Sequence, residues 1–430
     1  MGVECNSLPK IYSKGMLNSM ILQIKELNTD RRIFTLLNQS VPVLIGIFIF
    51  FNSFPHTTAV KEICFYLSLS IVLLLIFFKE TDFSLKTPLS IPFAIFVVWT
   101  FIGIFFALDK GNSIHDFYAH LLKYLVFYYL LVNFFNTKKR FEILSWVIII
   151  SVAVFSVGAM IYFYLILGYP MSTRLGLTFL ELHVDYIGFI TLFAILLSLH
   201  YISRETNLYG KIVLIGCLLG TSMATLLTQS RGTLIAAIFA SIVLLPKNKK
   251  TMIAFLVLFL IGVGITPGLE NRLALTNILS APRIGINFTT YEVIKSYPII
   301  GIGFGMETYG NKKLLDLKEY NARIPSNYRQ KGIITAPHNV LFDITVRTGL
   351  VGLALYIYIL FTFVWMWWRI IRYGKDDFIK DSGLCIMAGF VGIFIQGIFA
   401  DGMFGPQAIV LYTIFAMMTI LWHLNEADSL

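Results

Sequence analysis

Charged residues are scarce in this chain of 430 residues, since Asp, Glu, Lys and Arg together make up only 13%. Soluble domains carry about 25% charged residues, so this chain has too few to cover an ordinary water-facing surface. Apolar residues reach 57%, and the mean hydropathy is +0.77. These values exclude a disordered tail, a fibrous repeat and a pair of ordinary soluble domains. They indicate an all-α polytopic membrane protein.

Cysteine is rare as well. The four cysteines, Cys5, Cys64, Cys217 and Cys385, are scattered and form no CxxC pair, so the sequence predicts neither a disulfide framework nor a zinc site. The first forty residues lack a short apolar core followed by a small-residue cleavage site, and we therefore expect no removable signal peptide. No internal repeat is visible.

Long apolar runs dominate what the sequence does contain. A helix needs roughly 20 apolar residues to cross about 30 Å of hydrocarbon, and the sequence predicts about twelve transmembrane helices on this criterion. The break between the seventh and the eighth rests only on the polar residues 229–232. The predicted spans cover residues 35–54, 63–78, 89–108, 117–135, 143–168, 184–202, 211–228, 233–246, 252–266, 350–371, 383–400 and 407–423.

The distribution of basic residues predicts the orientation. Nineteen Lys and Arg residues fall on the side of the N-terminus, against four in the short loops of the other side. Because positive residues prefer the cytoplasmic side, both termini are expected there. The predicted division is a cytoplasmic segment (1–34) with an interfacial amphipathic helix at 11–27, nine spans (35–266), a periplasmic catalytic loop (267–349), and three spans with a short cytoplasmic tail (350–430).

The predicted periplasmic loop is far longer than the others, at roughly eighty residues, and loops beyond about 15 residues are usually functional or disordered. Apolar residues throughout and helix-like stretches at 288–297, 311–320 and 340–347 indicate that it is folded. It holds ten basic and six acidic residues, a net charge of +4. Since this charge lies on the side that normally avoids Lys and Arg, the loop is interpreted as a binding site for an anion.

Two arginines are candidates for that anion. Arg231 follows Ser230 at the end of an apolar span, where a buried guanidinium requires a partner or an anionic ligand. Guanidinium binds phosphate through two parallel hydrogen bonds, although the alternative is a side chain that extends to the headgroups. Arg283 lies at the start of a helical stretch of the basic loop, where a solvated surface role is the default.

Alternating glycines follow Pro298, at Gly301, Gly303 and Gly305. Such a run can indicate a dinucleotide-binding turn, but the strand–turn–helix unit that this motif requires is missing. A close approach of the backbone to a ligand or to another helix is the better interpretation.

His338 is the strongest candidate for chemistry. It lies between Pro337 and Asn339, immediately before apolar residues with helical spacing. Imidazole titrates near neutral pH and can take a proton from a hydroxyl nucleophile, a contribution of about 10²- to 10⁴-fold. The structural alternative is a histidine that caps its own helix.

Three further polar positions have open interpretations. Glu181, His183 and Asp185 alternate before the sixth span, and the rim of a polar site or a helix-start cap is favoured there over a metal site. Lys123 lies inside the fourth span, either reaching toward the headgroups or pairing within the bundle. Asp401, at the end of the eleventh span, is a potential partner for an arginine.

Together these residues resemble the O-antigen ligase family, which transfers a finished glycan from a polyprenyl diphosphate carrier to lipid A–core. The resemblance covers roughly residues 171–401. Its most specific part is a His-Asn pair followed by nine residues and Gly-x-x-Gly. The matching motifs are Arg174 and Gly176 before the sixth span, Ser230-Arg231-Gly232, Arg283 ahead of the Pro-x-x-Gly-x-Gly-x-Gly run at 298–305, and His338-Asn339 with Gly349 and Gly352.

The resemblance implies a GT-C-like membrane glycosyltransferase of lipopolysaccharide biosynthesis in the bacterial inner membrane. The donor would be an undecaprenyl-diphosphate-linked glycan, and the acceptor a sugar hydroxyl of lipid A–core on the periplasmic face. Transfer would be inverting, with no metal, cofactor or nucleic acid, and with membrane lipid as a further partner. The resemblance makes His338 the catalytic base and Arg231 and Arg283 the diphosphate ligands, with supporting roles for Arg174, Ser230, Asn339, Asp401, Gly301 and Gly303.

The acceptor remains open, because related enzymes polymerise O-antigen or transfer glycans to protein serines. The protein-glycosylating relatives tend to have an added C-terminal part, whereas this sequence ends at Leu430, just past its last predicted span. This difference favours the lipopolysaccharide acceptor. A polysaccharide or lipid transporter is the alternative from another class, but it would need charges near mid-bilayer and paired halves, and the sequence shows few of the former and no evident repeat.

Overall fold

The computed structural model describes residues 14–176, 184–246, 249–270, 283–400 and 405–427. Within these ranges the chain forms helices joined by turns and short connections. The helices are α1 (Lys14–Asn52), α2 (Thr58–Phe77), α3 (Ser90–Phe106), α4 (Lys110–Phe134), α5 (Lys138–Ile166), α6 (Val184–Ile202), α7 (Leu208–Leu227), α8 (Arg231–Leu244), α9 (Lys249–Ile265), α10 (Arg283–Ser296), α11 (Leu317–Arg323), α12 (Val340–Tyr373), α13 (Asp377–Gly397) and α14 (Gly405–Ala427).

Each predicted span corresponds to one of these helices, but the helices differ in length. Among the described residues, nine helices contain a stretch long and apolar enough to cross a membrane, in α1, α2, α4, α5, α6, α7, α12, α13 and α14. The other three predicted spans correspond to α3, α8 and α9, which have 17, 14 and 17 residues. The polytopic membrane architecture is supported, whereas the count of twelve spans and the GT-C-like arrangement stay predictions.

The N-terminal helix differs from the expectation. The sequence suggested an interfacial helix at 11–27, separate from a span starting at residue 35, but α1 runs without interruption from Lys14 to Asn52. Residues 28–32 are polar, and residues 28–34 contain neither Pro nor Gly. Polar residues alone do not end a helix. The helix therefore continues through this polar stretch without a break.

Helix α6 lies at the centre of the bundle. Every residue from 186 to 201 is buried, and α6 packs against α5, α7, α8, α13 and α14. A helix that is apolar on all sides is typical of such a central position. Its N-terminal turn, which carries Asp185, therefore lies at one end of the packed core.

Lys123 has a partner within the bundle. Of the two interpretations of this residue, pairing within the bundle is therefore confirmed, rather than a side chain that reaches toward the headgroups. Its ammonium group pairs with the carboxylate of Glu62 on α2 and lies 5.4 Å from the ring centre of Phe65. Only 15% of the Lys123 side chain is exposed. The pair joins α2 to α4.

The described part of the predicted loop is folded, as expected. Its helices α10 and α11 contact each other, and α10 also packs on α12. A second apolar cluster forms here, separate from the main core, from Val293, Ile294, Ile302, Tyr309, Leu315, Leu317, Tyr320, Ile334 and Val346. The helix predicted at 340–347 continues into the following span as α12, with a kink at Gly349, whose φ is 73°.

Asp376 illustrates how the connections at the other end of the bundle are stabilised. Its carboxylate accepts hydrogen bonds from the amides of Phe378 (2.6 Å) and Ile379 (3.3 Å) at the start of α13, and it lies 2.6 Å from the Lys138 ammonium group. The hydrogen bond from Lys138, aided by the two amides, holds the pKa of Asp376 below its usual value.

We expect Asp376→Ala to lower the free energy of unfolding by about 1 kcal/mol, because it removes the cap of α13. Asp376→Asn should have a smaller effect, since an amide oxygen still accepts from the α13 amides and a part-exposed ion pair contributes little. Because the carboxyl pKa is lower in the folded protein, the stabilisation by ionised Asp376 should be lost below about pH 4. Thermal unfolding in detergent at two pH values measures these effects, and equal losses for both variants would contradict the capping role.

Candidate active site

The turn between α7 and α8 presents Arg231 at the first position of a helix. Gln229 adopts a left-handed backbone with φ of 49°, and its side-chain amide donates to the carbonyls of Ser172 (3.0 Å) and Pro267 (3.1 Å). Ser230 is the N-cap residue of α8, and Arg231 is half-buried. The predicted break between the seventh and eighth spans is confirmed.

The N-cap serine does not cap its helix. The hydroxyl of Ser230 makes no hydrogen bond to the first amides of α8 and donates instead to Oδ1 of Asp185, at 3.1 Å. The first amides of a helix lack partners within the helix and favour an anion. The start of α8 therefore combines a guanidinium group with helix amides that its N-cap side chain does not satisfy.

Asp185 connects this turn to two other elements. Its Oδ2 lies 3.7 Å from Nη2 of Arg283 at the start of α10, and its backbone carbonyl accepts a hydrogen bond from Nε2 of Gln396 in α13, at 2.8 Å. The carboxylate thus joins Ser230 to Arg283, two predicted site residues that lie 53 positions apart in the sequence. The sequence indicated Asp185 only as part of a pattern interpreted as the rim of a polar site or a helix-start cap rather than a metal site, and its spacing gave no sign of these contacts.

Arg283 remains accessible to a ligand. Its side chain is 34% exposed, and its contact with Asp185 is long for an ion pair. A part-exposed pair of this kind is worth at most about 1 kcal/mol. An incoming anion with a higher charge can therefore compete with Asp185 for the guanidinium group.

Arg174 supports the same turn from the preceding connection. Its Nε donates to the carbonyl of Thr228 at 3.0 Å, and the amide of Leu175 donates to the carbonyl of Leu227 at 2.8 Å. These bonds satisfy two of the carbonyls at the end of α7, which have no partner within the helix. Arg174 thus lies at the α7–α8 turn, and its supporting role stays a prediction.

His338 lies immediately before α12 but is not its cap. The side-chain oxygen of Asn339 accepts hydrogen bonds from the amides of Leu341 (3.0 Å) and Phe342 (3.2 Å), so Asn339 is the capping residue. This assignment removes the structural alternative considered for His338. The histidine is half-buried and has a left-handed backbone with φ of 52°. Such a conformation costs a non-glycine residue about 1–3 kcal/mol and is found preferentially at functional sites.

Helix α13 links the start of α12 to the Asp185 cluster, which we define as Asp185, Ser230, Arg231 and Arg283. A Cβ atom placed on Gly397 would lie 3.2 Å from Val340, the first residue of α12. The adjacent residue, Gln396, is the donor to the carbonyl of Asp185. The described contacts thus connect the segment that carries His338 to the cluster through two neighbouring residues of α13.

Gly301 and Gly303 allow the loop backbone to approach other helices closely. Their φ values are 78° and 110°, and the amides of Ile302 and Gly303 donate to the carbonyls of Val346 (2.8 Å) and Arg347 (3.1 Å) in α12. The interpretation of a close backbone approach to a helix is confirmed. The two glycines thus place the loop backbone against the first part of α12.

Arg347 corrects the interpretation of the basic loop. It is one of the ten basic residues of the predicted anion-binding loop, but its side chain is only 5% exposed and its Nε donates to Asp343 at 2.6 Å. Its Nη1 and Nη2 donate to the carbonyls of Gly305 and Met306. Because Arg347 lies one helical turn after Asp343, the pair forms within α12, and the guanidinium group anchors the glycine run.

Several predicted positions lie outside the described residues, namely Asp401, Glu181 and His183. Among the side chains that the structure does describe, no three from His, Cys, Asp and Glu are grouped so that they could hold a metal ion.

Residues 215–357 match a family model described as O-antigen ligase. This match supports assigning the chain to the O-antigen ligase family. The O-antigen ligase segment includes Ser230, Arg231, Arg283, His338 and Asn339, whereas Arg174, Asp185 and Gln396 lie beyond it. The match supports a ligase- or polymerase-type function in O-antigen biosynthesis. No curated protein matches the chain.

Gly301→Ala is expected to destabilise the protein by more than about 2 kcal/mol, because a left-handed backbone disfavours Ala by about 1–2 kcal/mol and steric strain adds to this. The added Cβ would lie 2.6 Å from the backbone of Arg347. The control is Gly332→Ala, since nothing lies within 4 Å of a Cβ there. Thermal unfolding of the two variants in detergent measures the difference, and similar midpoints would contradict the role given to Gly301.

Proposed function

We propose that this chain is a glycosyltransferase that transfers a finished glycan from undecaprenyl diphosphate to a sugar hydroxyl of lipid A–core. The reaction would take place on the periplasmic face of the bacterial inner membrane. The observation that carries the proposal is the Asp185 cluster, in which Arg231 and Arg283 stand at the starts of two helices joined through Asp185 and Ser230.

The donor diphosphate suits this cluster. When the glycan departs, negative charge builds up on the diphosphate, and guanidinium groups held in position stabilise that charge in the transition state. The positive end of the α8 dipole adds to the effect. A diphosphate carries more charge than a carboxylate and accepts bidentate hydrogen bonds, so we expect it to displace Asp185 from Arg283 on binding.

His338 would act on the acceptor. Its neutral imidazole takes the proton of the sugar hydroxyl as the hydroxyl oxygen forms a bond to the anomeric carbon of the donor. The bond between that carbon and the diphosphate oxygen breaks, and the diphosphate leaves with the electron pair. Attack opposite the leaving group inverts the anomeric configuration. In this scheme the leaving-group charge is stabilised by Arg231 and Arg283, so no metal is needed.

His338→Ala is expected to reduce transfer by about 10²- to 10⁴-fold, the usual contribution of a general base. Arg231→Ala should abolish transfer, because the leaving diphosphate loses one of its two guanidinium partners. Both variants should still insert and fold. The measurement is transfer by purified protein from undecaprenyl-diphosphate glycan to lipid A–core, with and without a chelator.

Two exposed positions provide controls for that assay. His56 is exposed and has a left-handed backbone like that of His338, with φ of 54°, and Arg204 makes a part-exposed ion pair with Asp381 at 3.1 Å, so alanine at either should leave transfer unchanged. Full activity of His338→Ala or Arg231→Ala would refute the role of that residue. Supplying a second lipid-linked glycan or a serine-containing protein as the acceptor separates the ligase from the polymerase and from the protein-glycosylating enzyme.

Asp185 offers a test with a different readout. Asp185→Asn retains an acceptor for the Ser230 hydroxyl and removes the charge that competes with the donor, so the KM for the donor should fall or stay unchanged. Asp185→Ala also removes the link to Ser230, and we expect kcat to fall because the start of α8 is no longer held. Steady-state kinetics distinguish the two, and identical behaviour of both variants would argue against separate roles for the charge and the hydrogen bond.

A further inference from the structure

A large groove opens between α3 and α12 at the end of the bundle opposite His338. The two helices are in contact nearer the candidate active site, where Nε1 of Trp99 donates to the carbonyl of Thr348 at 2.8 Å, and where the ring centres of Phe96 and Tyr356 are 6.4 Å apart. Beyond Tyr356 they separate and leave a cavity of about 740 Å³ between them. The last turns of α14 also line this cavity.

One wall of the groove is apolar and exposed. Ile91 on α3 and Phe361 on α12 are 66% and 65% exposed, and Tyr358 and Trp365 continue the α12 side. In a bilayer these side chains face hydrocarbon. Lipid chains are a better occupant of this space than water, because water would leave the apolar wall in contact with a polar solvent.

The polar edge of the groove is held in place by neighbouring helices. Thr87 accepts a hydrogen bond from the hydroxyl of Tyr128 at 2.9 Å, and Ser90 accepts one from Tyr129 at 3.0 Å. The Tyr128 hydroxyl also contacts Thr419 of α14 at 2.9 Å. The connection between α2 and α3 is thereby fixed to α4 and α14, and the groove is preformed.

Two opposite charges line the same edge. Lys86 and Glu426 are both exposed, and both line the groove. A second cation, Arg369, is not among the lining residues, and its guanidinium group stacks over Trp365 (5.5 Å) and Trp422 (5.4 Å). Tryptophan and basic residues gather where a bilayer meets water. In the predicted orientation this is the cytoplasmic leaflet.

We infer that this groove binds a bilayer phospholipid whose headgroup carries both a phosphate and a primary ammonium group, as phosphatidylethanolamine does. Lys86 would bind the phosphate, Glu426 would accept hydrogen bonds from the ammonium group, and an acyl chain would lie along Ile91 and Phe361. A phospholipid with a net negative headgroup has no ammonium group to offset the repulsion between its charge and the Glu426 carboxylate. The quaternary ammonium group of phosphatidylcholine has no N–H to donate to Glu426.

The test is lipid retention by the detergent-purified full chain in native mass spectrometry. Phosphatidylethanolamine, phosphatidylglycerol and phosphatidylcholine with identical acyl chains are added separately. We expect phosphatidylethanolamine to be retained most strongly. Lys86→Gln should weaken its binding about fivefold, the effect of one basic residue at a membrane surface. Glu426→Gln should weaken phosphatidylethanolamine binding but not that of phosphatidylglycerol.

Matched controls are Lys375→Gln and Glu142→Gln, two exposed residues outside the groove lining. They should leave retention unchanged. Stronger retention of phosphatidylglycerol than of phosphatidylethanolamine, or equal retention of all three lipids, would overturn the inference, and neither comparison requires a variant. Retention is read without any transfer reaction, so the result is independent of the proposed glycosyltransferase activity.

Discussion

Asp185 stands at the start of α6 and joins three other helices to it, two through its carboxylate and one through its backbone carbonyl. One oxygen accepts from Ser230, the other faces Arg283, and the backbone carbonyl accepts from Gln396. Because α6 is buried along nearly its whole length, its first turn is a fixed reference for the helices that surround it. Asp185 thus contacts Arg283 directly and Ser230, the residue before Arg231, through a hydrogen bond.

The segment with His338 is fixed separately, at both ends. At its start, Asn339 caps α12 and Val340 packs against Gly397. At its end, the buried guanidinium group of Arg347, paired with Asp343, donates to the carbonyls of Gly305 and Met306. Removing one partner of a buried ion pair leaves an uncompensated charge, at a cost of about 3–5 kcal/mol. The left-handed backbone of His338 thus directly precedes a segment, residues 339–347, that is held at both of its ends.

The opposite side of the glycine run is attached to α4. The amide of Met306 donates to Asp116 at 2.5 Å, and the amide of Gly305 donates to Ser113 at 3.3 Å. The run is thus held between α4 and α12, which explains why its alternate positions are glycine. A side chain at Gly303 would meet Ala107, just before α4.

Local patterns in the sequence predicted the local parts of this structure. Hydropathy located the apolar helices, residues 229–232 indicated the break before Arg231, and the residues after His338 indicated a helix start. Contacts between distant segments were not predictable in this way. Nothing in the sequence near Asp185 indicates Arg283, and the burial of Arg347 depends on carbonyls about forty residues away. The continuous α1 was missed because polar composition was interpreted as the end of a helix.

The length of α8 has a consequence for the bilayer around it. A helix of 14 residues rises about 21 Å, whereas the hydrocarbon layer is about 30 Å thick. If α8 crosses the bilayer, as the sequence predicts, one of its termini stops short of the headgroup plane or the leaflet becomes thinner around it. Hydrophobic mismatch would then bring the phosphate plane down to the depth of Arg231 and shorten the path of a prenyl-anchored diphosphate to its binding groups.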